Sequence, residues 1–149
     1  MKKLIVLLGL ALVLSSCEVK SNLYNWGNKS SSKNATDYES SVYNYYHSQS
    51  PESLCALLCE YEYMVTHPGG ERGVVPPGIC AEYGYLLLSP DTPQIFSAHA
   101  TKRQKERFNS GDYSATFRDK GMAMLQKEME LYPESAVFIQ PLIKKFSQQ

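Results

Sequence analysis

Apolar residues recur at helical spacing in five stretches of the chain. Tyr38, Val42, Tyr45 and Tyr46 stand at i, i+4, i+7 and i+8, one face of a helix. Thr36 and Glu39 frame its start as a capping box, in which the threonine oxygen accepts a free amide and the glutamate reaches back. Ser50-Pro51-Glu52 supplies a cap, a first-turn proline and an early acid for a second helix. Leu54, Leu57, Leu58, Tyr61, Met64 and Val65 form its stripe, and His67-Pro68-Gly69-Gly70 ends it. Pro76-Pro77-Gly78 opens a third, with Ile79, Tyr83, Leu86 and Leu87 on one face and Ser89-Pro90 as its stop. A fourth runs over residues 116–132, with Phe117, Gly121, Met124, Leu125, Glu128 and Tyr132 in register. After Pro133-Glu134-Ser135 comes a fifth, short helix carrying Val137, Phe138, Leu142 and Phe146, with Pro141 placed to distort it. No stretch alternates apolar and polar residues between hairpin turns, so the predicted class is all-α, a stack of about five antiparallel helices.

The first residues follow a different pattern. Met1-Lys2-Lys3 is a positive start, residues 4–14 are apolar throughout, and Leu14-Ser15-Ser16-Cys17 follows. The run is shorter than the ~20 residues that cross ~30 Å of hydrocarbon, which predicts a cleaved signal peptide over residues 1–16 rather than a membrane helix. Leu-Ser-Ser-Cys resembles a bacterial lipobox, and that resemblance implies cleavage before Cys17 and acylation of Cys17. Several acyl chains hold a protein on a membrane where one binds only marginally. Glu18 follows the acceptor, not the aspartate that retains many such lipoproteins at the inner membrane. The expected location is the periplasmic face of the outer membrane, with residues 17–35 as lipidated tether and lid and residues 36–149 as the helical domain.

Composition sharpens this picture in two ways. Charge is balanced at 15 basic against 15 acidic residues, and loss of Lys2 and Lys3 leaves 13 against 15, about −2. A nucleic-acid binder would show a broad basic excess, so none is expected as partner. Of four cysteines, Cys55, Cys59 and Cys80 remain once Cys17 is lipidated, an odd set for an oxidising compartment. A Cys59–Cys80 disulfide would join two consecutive helices; the alternative is three small buried hydrophobes. The spacing fits no zinc pattern, and His47, His67 and His99 lie far from any cysteine in sequence, so no metal or other cofactor is expected.

The third and fourth helices pass part of a repeat test. In a tetratricopeptide unit a large residue and then a small one on the first helix let two helices approach, and a proline closes the unit. Tyr83-Gly84 and Leu87 fit the first helix; Gly121, Leu125, Glu128 and Pro133 fit the second. Gly84 and Pro133 are too far apart for a unit of about 34 residues, which predicts an insertion over about residues 90–113. Lys102, Arg103, Lys105 and Arg107 against Glu106 make this insertion basic: a docking surface for an acidic partner or lipid headgroup, or simply a solvated face.

Four blocks carry a family resemblance. They are Leu23-Tyr24-x-Trp26-Gly27, Tyr38-Glu39-x-x-Val42-Tyr43-x-Tyr45-Tyr46, the block from Val75-Pro76-Pro77-Gly78-Ile79 through Glu82-Tyr83-Gly84-Tyr85-Leu86, and Glu128-x-x-Leu131-Tyr132-Pro133-Glu134-Ser135. Together they resemble the bacterial lipoprotein family catalogued as domain of unknown function 4810. The resemblance implies a small tetratricopeptide-like lipoprotein, often encoded beside a homologue of the curli secretion pore and a second small lipoprotein. It brings no catalytic residues. The chain departs from the family in loop insertions over residues 28–37 and 91–112.

No nucleophile elbow, zinc-protease motif or phosphate loop occurs, and no enzyme is expected. The distinctive feature is aromatic: eleven tyrosines, concentrated in the first three helices. Tyrosine fills cores, and on an exposed face it supplies large contact area at small entropic cost. Tyr43, Tyr63 and Tyr85 lie off the apolar stripes and are the candidate partner surface. Trp26 is placed as a lid over the first helix pair. The expected function is a lipid-anchored adaptor or scaffold that docks other envelope proteins, including a secretion-pore-like assembly. The alternative is a periplasmic lipoprotein that binds a glycan, peptide or other ligand in a tyrosine-lined groove.

Overall fold

The computed structural model describes residues 22–27 and 37–148. The expected signal peptide, Cys17, Thr36 and all of the expected tether except residues 22–27 lie outside the described residues. Among the described residues the chain is helical throughout, with one isolated β-bridge between Gly69 and Val74. The helices are α1 (Asp37–Ser48), α2 (Pro51–Thr66), α3 (Ile79–Leu87), α4 (Thr92–His99), α5 (Lys102–Phe108), α6 (Tyr113–Leu131) and α7 (Ala136–Ser147), with a 3-10 turn at Pro133–Ser135. Five match the sequence reading. The other two, α4 and α5, fill the stretch read as a loop insertion, which is therefore folded. α7 continues through Pro141, which is exposed.

Local chemistry sets the ends. Ser50 Oγ accepts the Ser53 amide at 3.2 Å ahead of Pro51, so α2 starts where its cap stands. Thr101 and Gln104 close a capping box on α5, and Asn109 ends that helix in the left-handed region at φ 40°. Asp112 Oδ1 accepts from the amides of Ser114 and Ala115 to begin α6.

α1 packs on α2, α2 on α3, α3 on α6 and α6 on α7, while α4 and α5 close over α2 and α6. The main core gathers Leu57, Leu58, Tyr61, Met64, Tyr83, Phe96 and Phe117, all fully buried. Four aromatic rings explain why the insertion folds. Phe96 of α4 lies 4.8 Å from Phe108 of α5, and both meet Phe117 of α6 edge-on at 5.2 and 5.1 Å. Tyr113 completes the group at 5.2 Å from Phe96. Burying each such ring contributes about 1.5–3 kcal/mol, enough to hold two short helices that could not stand alone. A second core of Leu88, Leu125, Ile139 and Phe146 seats α7.

The 22–27 segment straps the α2–α3 connection. Glu71 and Arg72 donate their amides to the carbonyls of Asn22 and Leu23, and Asn25 Nδ2 donates to His67 O at 2.8 Å. Gly70 permits this approach: its φ is +75°, and a Cβ there would lie 2.6 Å from Leu23 O. Trp26 then lies over Tyr38 of α1, ring centroids 5.9 Å apart.

Candidate functional site

Aromatic rings run across the first three helices. Tyr24, Trp26, Tyr38, Tyr61 and Tyr83 succeed one another at 6.3, 5.9, 5.8 and 5.6 Å. The inner end is fixed by carboxylates. Tyr61 donates to Glu82, and Tyr83 donates to Glu62 Oε2 at 2.7 Å while Lys120 Nζ donates to Glu62 Oε1 at 2.7 Å. Burial, and then these acids, push both phenols well above their ordinary value. Tyr38 is pushed up to about 12 by burial and then by the Glu82 charge. These hydroxyls stay neutral donors, and the network ties α2, α3 and α6 together.

A second buried carboxylate, Glu128 of α6, closes the start of α3. Gly78 has no side chain with which to cap that helix, so Glu128 accepts the amides of Gly78 at 2.8 Å and Ala81 at 3.2 Å. Tyr132 OH donates to Val75 O at 2.6 Å beside it. Sequence reading put Glu128 in the apolar register of its helix, and a carboxylate at that position was the signal of a buried acceptor.

Cys55, Cys59 and Cys80 are separate buried thiols, Cys59 and Cys80 included. Burial pushes Cys55 and Cys80 up to about 11 and Cys59 up to about 12, the chemistry of small apolar fillers rather than nucleophiles. His47 stacks on Tyr43, His67 stacks on Tyr63, and His99 meets Glu52 at 3.1 Å. Among the described residues no group of three or more His, Cys, Asp or Glu is placed to hold a metal ion. No described helix is long and apolar enough to cross a membrane.

The candidate surface tyrosines separate. Tyr43 is 67% exposed on α1. Tyr85 is exposed on α3, its ring edge-on to Phe146 of α7. Tyr63 is half-buried, its ring 4.5 Å from that of His67. Each of the three has its own ring neighbour: His47 for Tyr43, His67 for Tyr63 and Phe146 for Tyr85. α1 buries no residue fully, and Tyr38, Glu39, Val42, Tyr43, Tyr46 and His47 line an open, mainly apolar groove of about 480 Å³ along it. At the other end of the chain, Val137 and Phe138 of α7 are 69% and 75% exposed. Sequence reading missed Tyr46, Val137 and Phe138, because their spacing also fits the core-facing stripes to which it assigned them.

The basic residues of the insertion sit on α5. Lys105 Nζ donates to Ser97 O at 2.6 Å, and with Lys102, Glu106, Asn109, Ser110 and Tyr113 it lines a shallow cleft of about 530 Å³.

No protein family, curated protein or solved structure matches this chain.

Proposed function

We propose that this protein is a lipid-anchored envelope adaptor: a tetratricopeptide-like helical stack, held on the periplasmic face of the outer membrane through Cys17, that docks other envelope proteins. The observation that carries this reading is the pair of uncovered apolar faces on the two outer helices, with Tyr43 and Tyr46 on α1 and Val137 and Phe138 on α7. Large exposed aromatic faces on a folded chain mark contact with other macromolecules. The α1 groove is open rather than enclosed, which favours a protein partner over a small ligand or glycan. Antiparallel pairing of α3 with α6, at the close contact of Gly84 with Gly121, supports the tetratricopeptide-like reading. The lipobox sequence and the resemblance to the lipoprotein family supply the anchor and the compartment. The anchor would act by concentration, keeping the docking faces beside membrane partners.

The test is in-cell crosslinking of the full chain followed by detergent extraction and mass spectrometry of what co-purifies. Recovery of a secretion-pore-like protein and a second small lipoprotein is the expected result. Recovery of the chain with no other envelope protein sinks the adaptor.

A further inference from the structure

One end of the helical stack gathers the 22–27 strap, the α2–α3 connection, the end of α6 and the start of α7. The amides of Glu71 and Arg72 hold the carbonyls of Asn22 and Leu23, and Arg72 Nη1 donates to Tyr24 OH at 3.1 Å. Tyr132, at the end of α6, donates to Val75 O at 2.6 Å and has the Tyr24 phenol beside it. The Pro133–Ser135 turn follows, and α7 starts at Ala136. From there α7 runs antiparallel to α6: Arg118, early in α6, donates to Phe146 O, late in α7. This end leaves three apolar side chains uncovered, Leu23 on the strap and Val137 and Phe138 in the first turn of α7. Its exposed charges, Glu71, Arg72 and Glu134, give it no basic excess.

The chain between Cys17 and this end is short. Asn22 is the fifth residue after Cys17, and five residues span at most about 18 Å in any conformation. An acylated Cys17 therefore holds Asn22, and with it the α2–α3 connection, within that distance of the membrane surface. The opposite end is under no such limit, since α6 alone, at 19 residues, is about 28 Å long. The end kept at the bilayer is thus the end that leaves Leu23, Val137 and Phe138 uncovered. We infer that this end sits on the membrane, with Leu23, Val137 and Phe138 entering the lipid interface. Apolar side chains gain by burial at the boundary of headgroups and acyl chains. Without a basic excess, that burial and not attraction to anionic lipid is the source of contact. The inference rests on the acyl anchor proposed above. It assigns the exposed start of α7 to lipid and leaves the Tyr43 and Tyr46 face of α1 to protein partners.

The experiment uses the full chain, expressed with its own leader in a Gram-negative host and reconstituted into neutral phosphatidylcholine–phosphatidylethanolamine vesicles. A nitrobenzoxadiazole probe is attached in turn to Leu23→Cys, Val137→Cys and Phe138→Cys, and for comparison to Tyr43→Cys and Lys145→Cys. Cys55, Cys59 and Cys80 are buried, which leaves the added thiol to take the label. The substituted positions are all exposed, so each variant should keep the parent melting temperature. The expected result is a blue-shifted emission at positions 23, 137 and 138, quenched several-fold more by nitroxide-labelled acyl chains than at 43 and 145. Lys145 serves as the reference within α7, about 10 Å further along the helix than Phe138. Quenching no greater at 137 and 138 than at 43 and 145, on chain that floats with the vesicles, overturns the inference and leaves the anchor standing. Chain that does not float with the vesicles overturns the anchor, and the inference with it.

Discussion

Gly84 and Gly121 face each other where α3 crosses α6, so closely that a Cβ on Gly84 would lie 2.8 Å from the Gly121 carbonyl oxygen. A Cβ on Gly121 would meet Leu88 Cγ at 2.6 Å. Either methyl group pushes on backbone or on the root of a side chain, not on a flexible tip. Gly→Ala gains about 1 kcal/mol of helix propensity, and overpacking costs about 1–3 kcal/mol. Gly84→Ala and Gly121→Ala are therefore each expected to lower stability, Gly84→Ala through helix displacement. Urea unfolding midpoints of the two variants check this.

Lys120 and Tyr83 share the buried Glu62 carboxylate. Lys120→Met removes the cation bonded to it and leaves the Tyr83 hydroxyl as a partner. The expected loss is about 1–3 kcal/mol, reduced from that of a fully buried pair because the lysine side chain is 29% exposed. Adding Glu62→Gln on the Lys120→Met background recovers part of that loss. Chemical unfolding of the single and double variants measures both steps.

Glu128 serves two amides of α3 from inside the core. Glu128→Ala strands both and is expected to cost about 2 kcal/mol, the magnitude of a lost cap at a buried helix start. Loss should appear as faster amide exchange at residues 78–81, ahead of the rest of α3.

The three thiols give a pH signature. Cys55, Cys59 and Cys80 have folded values raised from about 9 to about 11–12 by burial. Unfolded chains lose these protons first, so the contribution to stability is full below pH 9 and falls as pH rises through 11–12. Tyr38, raised from 10 to about 12, acts in the same direction. Stability should therefore decline above pH 9, and thermal unfolding from pH 7 to 11 follows it. A thiol reagent at pH 8 should label none of the three in the folded chain and all three in denaturant without reductant.

How much of this could be read in the chain depends on which forces act locally. Helices α1, α2, α3, α6 and α7 carry their own periodicity and stop signals, such as Ser50-Pro51 and His67-Pro68-Gly69. α4 and α5 were illegible because each offers few core side chains, Ile95 and Phe96 on one and Phe108 on the other. Their stability comes from Phe117 and Tyr113 on α6, a contact no local pattern encodes. The same reason hides the Glu62–Lys120 pair, whose members lie 58 positions apart. Tyr43 and Tyr85 were legible as exposed because they lie off the apolar stripes. Tyr46, Val137 and Phe138 continue theirs, and only the folded packing shows that they are left exposed.

The proposed anchor has its own prediction. Cys17→Ser should move the chain from the membrane to the soluble fraction while leaving the circular dichroism of the helices over residues 37–148 unchanged. Fractionation with labelled palmitate measures this.

The most direct test of the adaptor is a matched pull-down from crosslinked cells, comparing the unaltered chain with the double variant Tyr43→Ser, Tyr46→Ser. Both tyrosines are exposed, at 67% and 61%, so the variant should keep its melting temperature. The unaltered chain is expected to bring down envelope partners and the variant to lose most of them. Equal recovery from both, with both folded, would contradict the adaptor.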